Sequence, residues 1–102
     1  MFDVYNVDLN PTKGSEINKI RPAVIISPDA MNRNLKTVIV ALLSHTIKGY
    51  PSRVHIQFES QDAEVVLDQI RAVDKTRLGK KRGSVDSATA ARIKAVLRTM
   101  FS

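Results

Sequence analysis

The 102-residue chain carries 16 Lys and Arg against 10 Asp and Glu, a net charge of +6, with 43% hydrophobic residues, 25% charged residues and no cysteine. That size and mix predict one soluble globular domain spanning 1–102, and the missing thiols exclude disulfides, iron–sulfur clusters and thiolate zinc sites. No apolar run approaches the roughly 20 residues of a membrane-spanning helix, and Met1-Phe2-Asp3-Val4 lacks the basic and apolar regions of a secretory signal, so a cytoplasmic protein is expected.

The charge is unevenly placed. Residues 1–70 hold seven basic and eight acidic side chains, whereas 71–102 hold nine basic and two acidic. A concentration of positive charge suggests a polyanionic partner, nucleic acid or an acidic protein segment. Many small soluble proteins are basic without such a partner, so the charge opens the question without answering it.

The first 70 residues read mostly as β structure. Phe2 to Leu9 is β-rich and is followed by the turn-forming cluster Asn10-Pro11-Thr12-Lys13-Gly14-Ser15. Arg21 to Ser27 and Lys36 to Ser44 are strands with continuous apolar centres, which implies burial on both faces, and Pro28 to Asn32 offers one helical turn between them. After Lys48-Gly49-Tyr50-Pro51, Val54, Ile56 and Phe58 alternate with Arg53, His55 and Gln57, the period of a half-buried strand. Shorter strands are predicted at 64–67 and 69–73, and short strands with regular turn signals suggest a small barrel or curled sheet. The chain then turns helical. Asp86 is a good N-cap, and Ile93, Val96, Leu97, Met100 and Phe101 form one apolar stripe from which Arg92, Lys94 and Arg98 point away.

Common catalytic motifs are missing. His45 and His55 are the two histidines, and neither has carboxylates at ligand spacing, so no metal or other cofactor is expected. Lys13-Gly14-Ser15 lacks the spaced glycine and the strand–loop–helix setting of a phosphate-binding loop. Polar residues at strand ends remain: Glu16, Arg21, Ser44, His45, Thr46, Asp68 and Gln69. Taken singly, each reads as an ordinary surface residue.

Taken together they do not. Val7 to Glu16, followed by Arg21 to Pro28, resembles the signature of the MazF/PemK family of toxin endoribonucleases. Lys48-Gly49-Tyr50-Pro51, Leu67 to Arg71 and Val73-Asp74 match two further family blocks in the right order, so the resemblance runs from about Phe2 to Phe101. It implies a mainly β, α+β fold: a small SH3-like barrel of the CcdB/MazF type with a C-terminal α-helix. It also implies a homodimer that cuts single-stranded RNA without a metal. The cognate antitoxin would hold the toxin inactive through an acidic C-terminal segment, and operator DNA would be bound only through the antitoxin complex.

The resemblance also assigns roles. Cleaving RNA without a metal requires deprotonation of the 2′-hydroxyl, stabilisation of charge on the phosphorane and protonation of the leaving 5′-oxygen. Arg21 matches the family's catalytic arginine, whose guanidinium can grip two phosphate oxygens and can serve as proton donor. Ser44 stands where the family usually has threonine, and Glu16 follows the Gly-Ser-Glu pattern, orienting Arg21 or moving a proton. His45 departs from the common small polar residue and is read either as catalytic or as an RNA or solvent contact. Lys13, Ser15, Lys48, Asp68 and Gln69 are RNA-contacting by the same resemblance, the Asp68-Gln69 pair at base edges. Tyr50 could stack on a base or pack at the barrel rim. Two alternatives stand beside this reading: a CcdB-like toxin that binds a protein target such as DNA gyrase, or a basic barrel that binds nucleic acid without cutting it.

Overall fold

The computed structural model describes residues 1–9 and 19–102. The turn cluster and the expected site residues Lys13, Ser15 and Glu16 fall outside them. The elements are β1 (Asp3–Asp8), β2 (Ile20–Ile25), α1 (Asp29–Asn34), β3 (Thr37–Ser44), β4 (Arg53–Phe58), β5 (Gln61–Val66), β6 (Arg71–Asp74), β7 (Leu78–Ser84) and α2 (Ser87–Met100). The strands form one antiparallel sheet in the order β4-β5-β3-β2-β1-β7, and β6 also pairs with β3.

β3 organises the curl. One edge pairs with β2, while the other takes β6 along Thr37–Val40 and β5 along Leu43 and Ser44. A 3-10 turn at Leu67–Gln69 carries the chain from β5 to β6. Because both faces of β2 and β3 are covered, alternate residues enter two cores. Val24, Ile26, Ala41 and Leu43 join Val54, Ile56, Val65 and Ile93 in the larger core. Ala23, Ile25, Val38 and Val40 join Val7 and Val73 in the smaller one. The continuous apolar runs of the sequence are the signature of this two-sided burial.

Helix α2 closes the larger core. The Asp86 carboxylate accepts the Thr89 N–H at 2.7 Å, which caps the helix as expected. Ile93 is fully buried, and Val96, Leu97 and Met100 pack beside it. Phe101 departs from the expected stripe. It follows the last helical residue, where the backbone has left helical geometry, and its side chain is 69% exposed.

The sheet's two ends, β4 and β7, are joined through side chains. Arg82 of β7 donates to the Asn6 side-chain oxygen at 3.0 Å, pairs with Glu59 just beyond β4 and lies 5.5 Å from the Phe58 ring centroid. The result is a curled half-barrel of the SH3-like kind with a C-terminal helix, the fold class expected. Strand β7 has no counterpart in the sequence reading. Its sequence, Leu-Gly-Lys-Lys-Arg-Gly-Ser, shows no apolar alternation, and its pairing with β1 is broken by bulges on either side of Tyr5.

Candidate active site

The register of the sheet assembles the site. Ile25 faces Val40 and Ala23 faces Leu42, where the β2–β3 ladder ends; Arg21 and Ser44 lie two residues further along their strands and line one cleft. On the other edge of β3, Ser44 faces Glu64 of β5, which faces His55 of β4. Directly opposed residues of antiparallel strands share a face. One row therefore runs Ser44, Glu64, His55 across three strands.

A cleft of about 450 Å³ opens at the Ser44 end of this row, lined by Arg21, Ser44, Thr46, Lys48, Arg53 and Gln69. Arg21 and Lys48 are exposed, and neither side chain is tied by hydrogen bond or ion pair to another described residue. The Ser44 hydroxyl accepts the Thr46 N–H at 3.1 Å, which fixes the oxygen and leaves its own hydrogen to donate. Two cations without a partner among the described residues and an oriented hydroxyl around a polar cleft can hold an anion with several oxygens, as a phosphodiester is.

The third cation is different. Arg53 donates from Nε to Asp68 Oδ2 at 3.1 Å and reaches Glu64 Oε1 at 3.4 Å, while its guanidinium lies 5.0 Å from the Tyr50 ring centroid. Ser52 Oγ donates to the same Asp68 carboxylate at 2.5 Å. These contacts hold the Asp68 carboxyl below its usual range, the Arg53 hydrogen bond first and the Ser52 bond second, against a smaller opposing effect of burial. Asp68 thus spends its oxygens within the protein, while its neighbour Gln69 lines the cleft.

Glu64 is the residue that sequence reasoning missed. It is 2% exposed, in a strand whose neighbours Ala63, Val65 and Val66 are buried apolar residues. Its carboxylate accepts the backbone N–H of Lys48 at 3.1 Å and of Gly49 at 2.8 Å, besides Arg53. Burial alone would push its pKa up. The two amides and the guanidinium outweigh that and hold it below the usual carboxylate range. The signal was present in Ala63-Glu64-Val65-Val66-Leu67, because a charge inside an apolar strand must find partners or stay out of the core.

The remaining expected residues lie apart. His45 Nδ1 is 3.0 Å from the Asp62 carbonyl oxygen, and His45 does not line the cleft. With the hydrogen on Nδ1 the ring donates there, leaving Nε2 as an acceptor. His55 Nε2 lies 3.2 Å from Asp62 Oδ1 on the exposed polar side of β4. Tyr50 is half exposed beside Arg53, at the rim. Of the basic residues near the C-terminus, Arg77 donates to the Asp8 carbonyl at 3.0 Å and Arg82 closes the barrel, so both are structural. A second cleft of similar volume lies between β4 and α2, but Arg92 there is engaged by the His55 carbonyl at 3.0 Å.

Known proteins place this architecture. A family model described as PemK-like, MazF-like toxin of type II toxin–antitoxin system matches residues 1–101. The endoribonuclease MazF of Staphylococcus saprophyticus is 41% identical over 85 residues, covering 78% of this chain and 71% of that protein. A solved mycobacterial endoribonuclease in complex with its cognate antitoxin superposes with a TM-score of 0.81 at 29% identity, covering 98% of this chain and 91% of that one. The Mycobacterium tuberculosis toxin MazF-mt6 shares the fold, with a TM-score of 0.82 at 19% identity over 97% of this chain and 95% of its own. With its whole described fold and 101 matched residues in agreement, the chain belongs to the PemK/MazF-like family of type II toxin–antitoxin toxins.

Proposed function

We propose that this toxin, an endoribonuclease by its kinship with MazF, cuts single-stranded RNA at a short sequence by attack of the substrate's own 2′-hydroxyl. The observation that carries the reading is that Arg21, Ser44 and Lys48 line one cleft. In the reaction the 2′-oxygen loses its proton and bonds to phosphorus. The bond to the 5′-oxygen breaks and that oxygen takes a proton, leaving a 2′,3′-cyclic phosphate and a 5′-hydroxyl.

Arg21 stabilises the charge that grows on the non-bridging oxygens and can protonate the leaving oxygen. Its fork spans two oxygens and keeps its charge through the reaction. Ser44 donates to the scissile phosphate and fixes its orientation. Glu16, in the family's Gly-Ser-Glu pattern, orients Arg21 or accepts the 2′-proton, and Lys13 and Ser15 of the same segment contact the RNA backbone. Lys48 neutralises a phosphate of the strand, and no metal ion is needed where these cations carry the charge. Gln69 presents its amide to a base edge, and Asp68 fixes Arg53 beside it. His45 reaches RNA at the margin of the cleft. A half-exposed Tyr50, backed by Arg53, offers a ring face on which a base can stack.

The partners follow from the same reading: a second copy of the chain, and a cognate antitoxin whose acidic segment competes for Arg21 and Lys48. Operator DNA is bound through the antitoxin complex, and the setting is the cytoplasm, where transcripts are met. The test is an RNA whose cut site has been found by sequencing cleaved ends. One 2′-deoxyribose at that site should abolish cleavage there while a deoxyribose two positions away leaves it intact. Cleavage of the deoxy-substituted site would overturn the 2′-hydroxyl mechanism.

A further inference from the structure

Glu64 is absent from the roles above, yet its surroundings are the most fully built polar site among the described residues. Its carboxylate is buried between strands, faces Ser44 across β3 and β5, and takes both successive amides of Lys48 and Gly49. Arg53 ties the same carboxylate to Asp68, in the 3-10 turn that ends at Gln69. Gly49 sits at φ 70°, in the left-handed region that favours glycine, and open space surrounds its missing Cβ. The glycine is thus required by backbone conformation, with the carboxylate as the acceptor that fixes it. A charge buried at 2% exposure is costly unless fully paired, and nothing about a β-strand demands a glutamate there.

We propose that Glu64 is a positioning residue for the nuclease cleft: it clamps the Lys48–Gly49 backbone so that the Lys48 side chain is held over the bound RNA strand. This rests on the nuclease reading of the cleft. Glu64 does not touch substrate, since its oxygens face the loop amides and Arg53. Its three partners are the loop amides of Lys48 and Gly49 and the guanidinium of Arg53, which also holds Asp68 of the 3-10 turn. The clamp therefore sets how tightly RNA is held and leaves the chemistry at Arg21 and Ser44 to proceed at its own rate.

The test compares wild type with Glu64→Gln, which keeps the shape but can accept only through one oxygen, and with Arg53→Met in case the first variant fails to fold. Trypsin cleavage at the Lys48–Gly49 bond, followed by mass spectrometry, reports the clamp without RNA and should quicken about tenfold in either variant, the scale of losing a charge-assisted hydrogen bond. With RNA, Glu64→Gln should raise KM about tenfold and leave kcat within about twofold, as should Lys48→Met. The double variant should be no worse than Lys48→Met alone, because Glu64 acts through Lys48. An unchanged trypsin rate, a fall in kcat at constant KM, or multiplying effects in the double variant would each overturn the proposal. Wild-type protein that leaves RNA intact would overturn the nuclease reading instead, and the trypsin rates would still decide whether Glu64 holds the loop.

Discussion

The cleft at the end of β2 and β3 and the basic strand β7 contrast in a useful way. The cleft lies in the part of the chain whose charges nearly cancel, yet it holds two cations with no described partner and an oriented hydroxyl. The C-terminal third carries most of the net charge, yet Arg77 and Arg82 are consumed by the Asp8 carbonyl, Asn6 and Glu59. Lys80 and Lys81 remain exposed, with Lys81 3.6 Å from Asp3. Charge count locates where a polyanion would be attracted; unspent hydrogen-bonding capacity locates where it would be gripped.

Substitutions in the two regions should separate these roles. Arg21→Ala should lower kcat by about 10³-fold, the scale of losing a donor aimed at transition-state charge, in a single-turnover cleavage assay. Ser44→Ala should cost about 10- to 100-fold in the same assay, because it removes one hydrogen bond from a hydroxyl to the charged phosphate. Lys80→Gln with Lys81→Gln should leave kcat unaltered and reduce the slope of log affinity against log salt by about 1.4, two phosphate contacts on a single strand. A kcat effect from the lysine pair as large as that of Arg21→Ala would erase the distinction.

Two further expectations concern stability. Ile93→Ala should destabilise the fold by about 2–5 kcal/mol, measured by urea unfolding, because Ile93 is the buried anchor of α2 in the larger core. Glu64 and Asp68 both have pKa values lowered by folding, so their contribution is complete above the ordinary carboxylate range, about 4, and is lost as pH falls through the lowered values. Arg53→Met removes a shared cause of both shifts, so its unfolding free energy should fall less steeply than that of wild type between neutral pH and pH 3. Parallel pH profiles would show that Arg53 does not hold the pair.

The strands of the core were legible because burial on two faces writes itself as unbroken apolar runs, as at Ala23–Ile26 and Val38–Leu43. Asp86 and Ile93 made α2 equally plain. Strand β7 was not, since a bulged edge strand stabilised by pairing with β1 and by Arg82 needs no hydrophobic period. The candidate site could be proposed from a set of family blocks, but its wiring could not. That Asp68 and Arg53 satisfy each other, that His45 turns to the Asp62 carbonyl and that Glu64 is buried are consequences of register. Register depends on which strands pair, and no local window of sequence contains it.

Whether side chains of this chain, with Arg21 foremost, cut RNA through the substrate's 2′-hydroxyl is read directly from the product ends. Purified protein should be incubated with a long single-stranded RNA in excess EDTA and the product ends examined. Cleavage should be undiminished by the chelator, with 5′ ends that accept a labelled phosphate from a kinase without prior dephosphorylation and 3′ ends carrying a cyclic phosphate. Intact RNA, or fragments bearing 5′-phosphates, would contradict it.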